Sequence, residues 1–366
     1  MPQLATAPPQ VTGAAPAGGG AAVPFFYGTN KYAEKFATQS WQLTTTTQEY
    51  AQNINPGGFL SGVRLQARAA GGVGGTAAAD NPSNLFQSVT LENIDGSPIM
   101  YPMGGFSYTV GGQYFRPWDG VPSHRFDFAA GPNPSMSLYV KPELRHTAGV
   151  LANTDARALY RIRYTFNTWA NVISSGTTAP TMTVTSYLET WAQPDEQDLR
   201  GNRIDGIPPG LNLATLRRRQ ITNLNSAGAD NQFQLTNTGN EIRGILAIVR
   251  DSNSARQDYL SDPVRWRLDN RSMGVFSPDE IFNRMADFYD WLGEGITSRQ
   301  TGVYVFPRYY QPGAMKGEAW LATTNATYLL FESATAAGAA NLPGTVEWIT
   351  DEVVPVGPVP MEFESI

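Results

Sequence analysis

His124 and His146 are the only histidines in this 366-residue chain, and neither has a second histidine at the spacing that would bring two imidazoles onto one metal. The absence of cysteine removes disulfides, thiolate metal sites and a cysteine nucleophile. There is no G-x-S-x-G nucleophile turn, no phosphate-cradling G-x-x-x-x-G-K-[ST] loop and no G-x-G-x-x-G dinucleotide turn. Acid–base chemistry would therefore fall to carboxylates. Asp195 with Glu196, Asp279 with Glu280, and Asp351 with Glu352 supply the residue types a glycosidase uses. Each pair also has a structural reading. The first sits in a charged connection, the second opens a helix where negative charge meets the positive dipole end, and the third lies near the tail. The loops DNPSN (80–84) and DSNSARQD (251–258) carry oxygen ligands without the spacing of a calcium-binding EF-hand. Arg217, Arg218 and Arg219 form the most basic point of the chain, a candidate inner-surface patch for phosphates or lipid headgroups. The competing reading of that run is a solvated or salt-bridged connection between domains. No catalytic residue, cofactor or metal is expected.

The composition says what must position such groups. Only 16% of residues are charged, while there are 36 glycines and 26 prolines, a balance that suits short strands and long loops. The formal net charge of −6 gives no bulk attraction to nucleic acid, so no sequence-specific nucleic-acid partner is expected. No run of 18 apolar residues is present, and the first residues lack the basic start and apolar block of a secretory signal. Residues 1–24, rich in Pro, Ala and Gly, read as a flexible N-terminal arm.

Strand patterns begin at Trp41 and recur along the chain. WQLTTTTQEY is followed by an NPGG turn and by FLSGVRLQARA, in which Leu60, Val63, Leu65 and Ala67 form one face. LFQSVTLENIDGSPIM places Phe86, Val89 and Leu91 on a strand that closes at the Asp95, Gly96 turn. Further strands are predicted at 106–115, 124–129, 135–141, 158–169 and 181–191; in the fourth, Tyr160, Ile162 and Tyr164 alternate with Leu159, Arg161 and Arg163. Residues 196–213 break the pattern and read as a linker between a first domain at 25–195 and a second at 214–354, with 355–366 as a C-terminal tail. One helix is predicted at 277–292. Ser277 is its N-cap, Pro278 its first residue and Glu280 the completing member of a capping box, with Phe276 and Ile281 placed as a hydrophobic staple. Its stripe of Ile281, Phe282, Met285, Phe288, Tyr289 and Leu292 reads as a core face.

The two halves share a unit. When GFLSGVRLQARAA (58–70) is set against NEIRGILAIVRDS (240–252), Gly62, Val63 and Arg68 fall on Gly244, Ile245 and Arg250. The order of these weak motifs, together with NPSNLFQSVTLENIDGSPI, SYLETWAQPDEQ and TGVYVFPRYY, resembles the double jelly-roll major capsid proteins of tectiviruses and related icosahedral viruses across residues 40–350. The resemblance implies an all-β fold of two tandem eight-stranded jelly rolls with a few short helices. It also implies a structural, non-enzymatic protein whose homotrimers form pseudo-hexagonal capsomers, assemble in the host cytoplasm and reside in the virion. Its partners would be neighbouring capsomers, penton or vertex and minor capsid proteins, and an internal membrane. One departure stands out: residues 1–24 are too rich in Pro and Gly for the polar N-terminal helix of the tectivirus type, leaving only 30–41 to supply one. Aromatic and arginine side chains favour interface centres, which makes Arg116, Trp118, Tyr309 and Tyr310 the expected subunit contacts. The alternative is a carbohydrate-binding or glycoside-hydrolysing β-sandwich, which accounts for strands and aromatics but not for the duplication.

Overall fold

The computed structural model describes residues 25–115, 128–143, 149–176, 178–204, 215–236, 239–289, 300–307 and 320–354. The first roll is built from β1 (Lys31–Gln42), β2 (Gln48–Asn53), β3 (Phe59–Ala70), β4 (Phe86–Glu92), β5 (Pro98–Met103), β6 (Ser135–Val140), β7 (Arg161–Phe166) and β8 (Thr181–Trp191). The second is built from β9 (Thr215–Leu224), β10 (Asp230–Leu235), β11 (Glu241–Arg250), β12 (Leu260–Leu268), β13 (Arg271–Phe276), β14 (Val303–Pro307), β15 (Leu329–Thr335) and β16 (Gly344–Val353). Two-residue strands at Thr76–Ala77, Leu151–Ala152, Ile173–Ser174 and Leu321–Ala322 are accessory.

Both rolls order their strands identically. One sheet runs first-eighth-third-sixth, as β1-β8-β3-β6 and as β9-β16-β11-β14; the other runs second-seventh-fourth-fifth, as β2-β7-β4-β5 and as β10-β15-β12-β13. This is a jelly roll made twice. The rolls are also fused: β5 meets β9 in a parallel bridge between Met100 and Arg217, which joins β2-β7-β4-β5 to β9-β16-β11-β14 in one sheet. The repeated segments that the sequence aligned are β3 and β11, the third strand of each roll. Each carries a β-bulge at the same place, Ser61 before Gly62 and Arg243 before Gly244, where an extra residue twists the strand against its neighbour.

Alternation explains most strands. Ile162, Tyr164 and Phe166 of β7 point into the core, stacked against Phe86 and Trp41, while Arg161 and Arg163 stay at the surface side and grip Glu92. In β3, Val63, Leu65 and Ala67 are fully buried and Arg64, Gln66 and Arg68 face outward. Strand β11 does not alternate, because both of its faces are covered. A single apolar cluster runs through both rolls, from Leu43 to Ile349.

Two segments differ from the sequence expectation. The stretch expected as a strand at 106–115 is helix α1 (Gly105–Phe115). Its side chains are buried nearly all round, between the first roll and the second, so no polar face marks a helical period; aromatic and β-branched residues then mimic a strand. Residues 30–41, the remaining stretch for an N-terminal helix, are strand β1 instead. A ladder to β8 from Lys31 to Gln42 pairs one side of its backbone, and a bulge at Phe36 lets that ring and Trp41 pack on the core. The helix expected at 277–292 is α2 (Pro278–Tyr289). The Glu280 N–H donates to Ser277 Oγ at 3.1 Å, but the Glu280 carboxylate turns to Arg284 at 2.7 Å, so the reciprocal half of the capping box is not made. Phe276 packs under the Arg284 guanidinium, 4.6 Å from the ring centroid.

The bulge glycine of β11 lies against α1: a Cβ on Gly244 would stand 2.7 Å from the Phe115 ring, which is itself buried. At Gly112, inside α1, a Cβ would meet nothing within 4 Å. Gly244→Ala is therefore expected to lower stability by about 1–3 kcal/mol, whereas Gly112→Ala should raise it by about 0.5–1 kcal/mol through helix propensity. Urea denaturation of both variants checks the opposite signs.

Candidate functional site

Helix α1 organises the junction of the two rolls. Ser107, Gly111 and Phe115, one helical turn apart, face the second roll. The Ser107 hydroxyl donates to Glu347 at 2.9 Å, Gly111 leaves room for the Arg217 guanidinium, and that guanidinium lies 5.4 Å from the Phe115 ring centroid. Gln113 and Tyr114 reach Gln300 beside β14 at 2.7 and 2.8 Å.

Beneath the helix sits a buried charge cluster. Strand pairing puts Arg217 of β9 opposite Asp351 of β16, and the bulge aims Arg243 of β11 at the same carboxylate. Arg217 stands 3.4 Å from Asp351, Arg243 binds its other oxygen, and Asp351 is wholly buried. Arg218 pairs with Glu352 at 3.4 Å and Arg219 with Glu347 at 2.7 Å. The arginine run is thus salt-bridged: it lies on a strand whose three charges are each matched by a carboxylate, and Arg217 stands at the bridge between the two rolls. Glu352 also accepts from Asn240 at 2.7 Å and Thr350 at 2.6 Å; burial nevertheless pushes its carboxyl above the usual value. Asp351 and Glu352 are committed to these contacts, not arranged as an acid and base.

The two loops with candidate calcium oxygens come together at the junction, for a different purpose. Asp80 receives Arg250 at 2.7 Å and Arg256 at 2.6 Å, and both guanidinium groups lie over Phe106 of α1, 5.3 and 4.5 Å from its centroid. Asp251 instead closes its own loop, accepting from the N–H groups of Asn253 and Ala255 at 2.9 Å. No cluster of metal-binding side chains occurs among the described residues. Arg116, Trp118, Tyr309, Tyr310, His124 and His146 lie outside the described residues.

A cluster that sequence reasoning missed occupies the corresponding place in the first roll. Glu189 of β8 lies opposite bulge glycine Gly62 as Asp351 lies opposite Gly244. It takes Arg64 at 2.9 Å, Lys31 at 3.4 Å and the Tyr139 hydroxyl. Next to it, buried Glu143 accepts from Lys31 at 3.0 Å, Trp191 Nε1 at 3.0 Å and the Ser61 hydroxyl. Burial alone would raise both carboxyls, but Lys31 and Ser61 at Glu143, and Tyr139 and Arg64 at Glu189, outweigh it and hold both below the ordinary range. The shared position was visible in the glycine repeat; the charges were not, because their partners come from other strands.

This fold, two rolls of one topology fused edge to edge, is the double jelly roll. The chain is similar to the MCP of STIV, the Sulfolobus Turreted Icosahedral Virus, with 14% identity and a TM-score of 0.60 over 92% of this chain and 100% of that one. It is similar to the PBCV-1 virus capsid structure, with 11% identity and a TM-score of 0.57 over 89% and 94%. Similarity to the major capsid protein P2 from bacteriophage PM2 is at 8% identity and a TM-score of 0.53, over 90% and 100%. No family model and no curated protein sequence matches the chain.

Replacing Asp351 by Asn strands two buried guanidinium groups and is expected to cost about 3–5 kcal/mol in urea denaturation. Acid acts through the first roll. Because Glu143 and Glu189 are depressed in the folded state, their stabilisation is complete above the ordinary value of 4.5 and is lost as pH falls through their folded values. Glu352, raised by burial, contributes in the opposite sense, its protonation favouring the fold. Glu143→Gln should therefore flatten the fall of the urea midpoint below about pH 4.5, and an unchanged slope would refute the assignment.

Proposed function

We propose that this chain is a viral major capsid protein, structural and not enzymatic, three copies of which form a pseudo-hexagonal capsomer that tiles an icosahedral shell. The observation that carries the reading is the duplication itself. Two rolls of identical strand order are joined side by side through β5 and β9, so one chain supplies two of six similar lobes and three chains supply all six. The likeness of fold to the STIV, PBCV-1 and PM2 capsid proteins supports it. In this reading residues 25–195 and 214–354 are the two building units and 196–213 the linker. The protein resides in the virion after assembly in the host cytoplasm. Its partners are further copies of itself, then vertex and minor capsid proteins and an internal membrane.

Arg116, Trp118, Tyr309 and Tyr310 remain proposed contacts between copies. Residues 1–24 and 355–366 are proposed to bridge capsomers or face the shell interior.

Light scattering on the purified protein tests the reading: a stable particle near three times 39.8 kDa is expected, and a monomer at all concentrations would overturn it. Removing residues 1–24 should leave that particle intact while impairing shell formation seen by electron microscopy.

A further inference from the structure

The junction inside the chain contains a template for a junction between chains. Helix α1 follows the fifth strand of its roll and precedes the sixth; α2 holds the same place in the second roll. Each helix rests one side on the fourth and sixth strands of its own roll. The other side of α1 lies on the third and eighth strands of the second roll, β11 and β16. The other side of α2 carries Asp279, Asn283 and Asp287, spaced one turn apart and all exposed.

The sheets show a matching asymmetry. On the face of β11 turned to α1, Leu246 and Ile248 are fully buried, beside Val305 of β14 and Ile349 of β16. At the corresponding positions of the first roll stand Arg64 and Gln66, beside Tyr139 of β6 and Tyr187 of β8, all only partly buried. Both faces hold a charge cluster, Arg217, Arg243 and Asp351 in the second roll and Lys31, Arg64 and Glu189 in the first. The face under α1 adds the apolar Leu246 and Ile248, whereas the first-roll face is polar at those positions and has no helix of this chain over it among the described residues. The arginine shared by the two halves marks the contact. Arg250 closes the internal junction by stacking on Phe106, the second residue of α1. Its counterpart Arg68 is exposed on the first roll, and the second residue of α2 is the exposed Asp279.

We infer that α2 of one copy seats on the outer face of the β1-β8-β3-β6 sheet of a second copy, with Asp279 meeting the exposed Arg68, as α1 seats on the β9-β16-β11-β14 sheet within the chain. The occupant is a second copy because α2 is the one described helix with the equivalent place in its roll, and its open acidic side is opposite in sign to Arg68, the exposed arginine of a face whose Arg64 and Lys31 are already paired with Glu189 and Glu143. The open edge of β1 then lies beside β13 of that copy, as β9 lies beside β5 within the chain. The contact is head to tail, and the capsid reading requires that three such contacts close into a ring. It rests on the capsid reading and names the surface that reading requires.

Charge swapping tests it. Arg68→Glu puts like charges together at an exposed position, leaves the core untouched, and is expected to weaken association about tenfold or more. Adding Asp279→Arg to Arg68→Glu should restore it, while Arg157→Glu, an exposed change elsewhere on the first roll, should have no effect. Dissociation constants come from analytical ultracentrifugation, with urea midpoints confirming that each variant folds. If the natural chain forms trimers and Arg68→Glu forms them equally well, or the double variant is no better than the single, the interface is wrong and the capsid reading stands. If the natural chain never associates, both fall.

Discussion

Asp351 has no contact with solvent, and its charge is held by Arg217 from one neighbouring strand and Arg243 from the other. A carboxylate so buried costs several kcal/mol unless cations meet it with good geometry, and each of these two cations would be as costly alone. The three strands β9, β16 and β11 must therefore be in register before any of the three charges is tolerable. That requirement reaches the rest of the molecule. The bulge that aims Arg243 also places Gly244 under Phe115, and the guanidinium of Arg217 fills the space left by Gly111. Helix α1 can settle only on a correctly registered sheet, and with α1 in place the first roll is fixed to the second. Buried polar contacts here specify an arrangement more than they add stability.

The sequence made legible whatever depends on local period and was silent where distant strands meet. Ile162, Tyr164 and Phe166 alternate because one face of β7 is wet, and Ser277 caps α2 by geometry contained in four residues. The match of Gly62 with Gly244 exposed the duplication because a bulge against a packed neighbour leaves no room for a Cβ. Helix α1 was hidden for the opposite reason: packed on both sides, it needs no polar face, and nothing in its residues separates it from a buried strand. Arg217 and Asp351 are 134 positions apart, so the run of three arginines looked like a patch where the fold makes a set of ion pairs. The loops at Asp80 and Arg256 were noticed for their oxygens, whereas their role comes from the guanidinium groups that meet over Phe106.

The two rolls share a topology but divide their labour. In the second, β11 is buried on both faces, with Leu246 and Ile248 on the side that carries α1; the first keeps Arg64 and Gln66 at the equivalent positions. An apolar surface left open there would associate indiscriminately. A charged one waits for a complementary surface and discriminates against others, at some loss of affinity.

Among the described residues, strand β1 bounds its sheet with an unpaired edge twelve residues long, the kind of edge on which further chains can add strands and grow fibres. Its first half carries Lys31, Glu34 and Lys35 and ends in the bulge at Phe36. A flat strand approaching there would meet charge and then a kink. The same irregularity that seats Phe36 on the core thus keeps an exposed ladder from extending without limit.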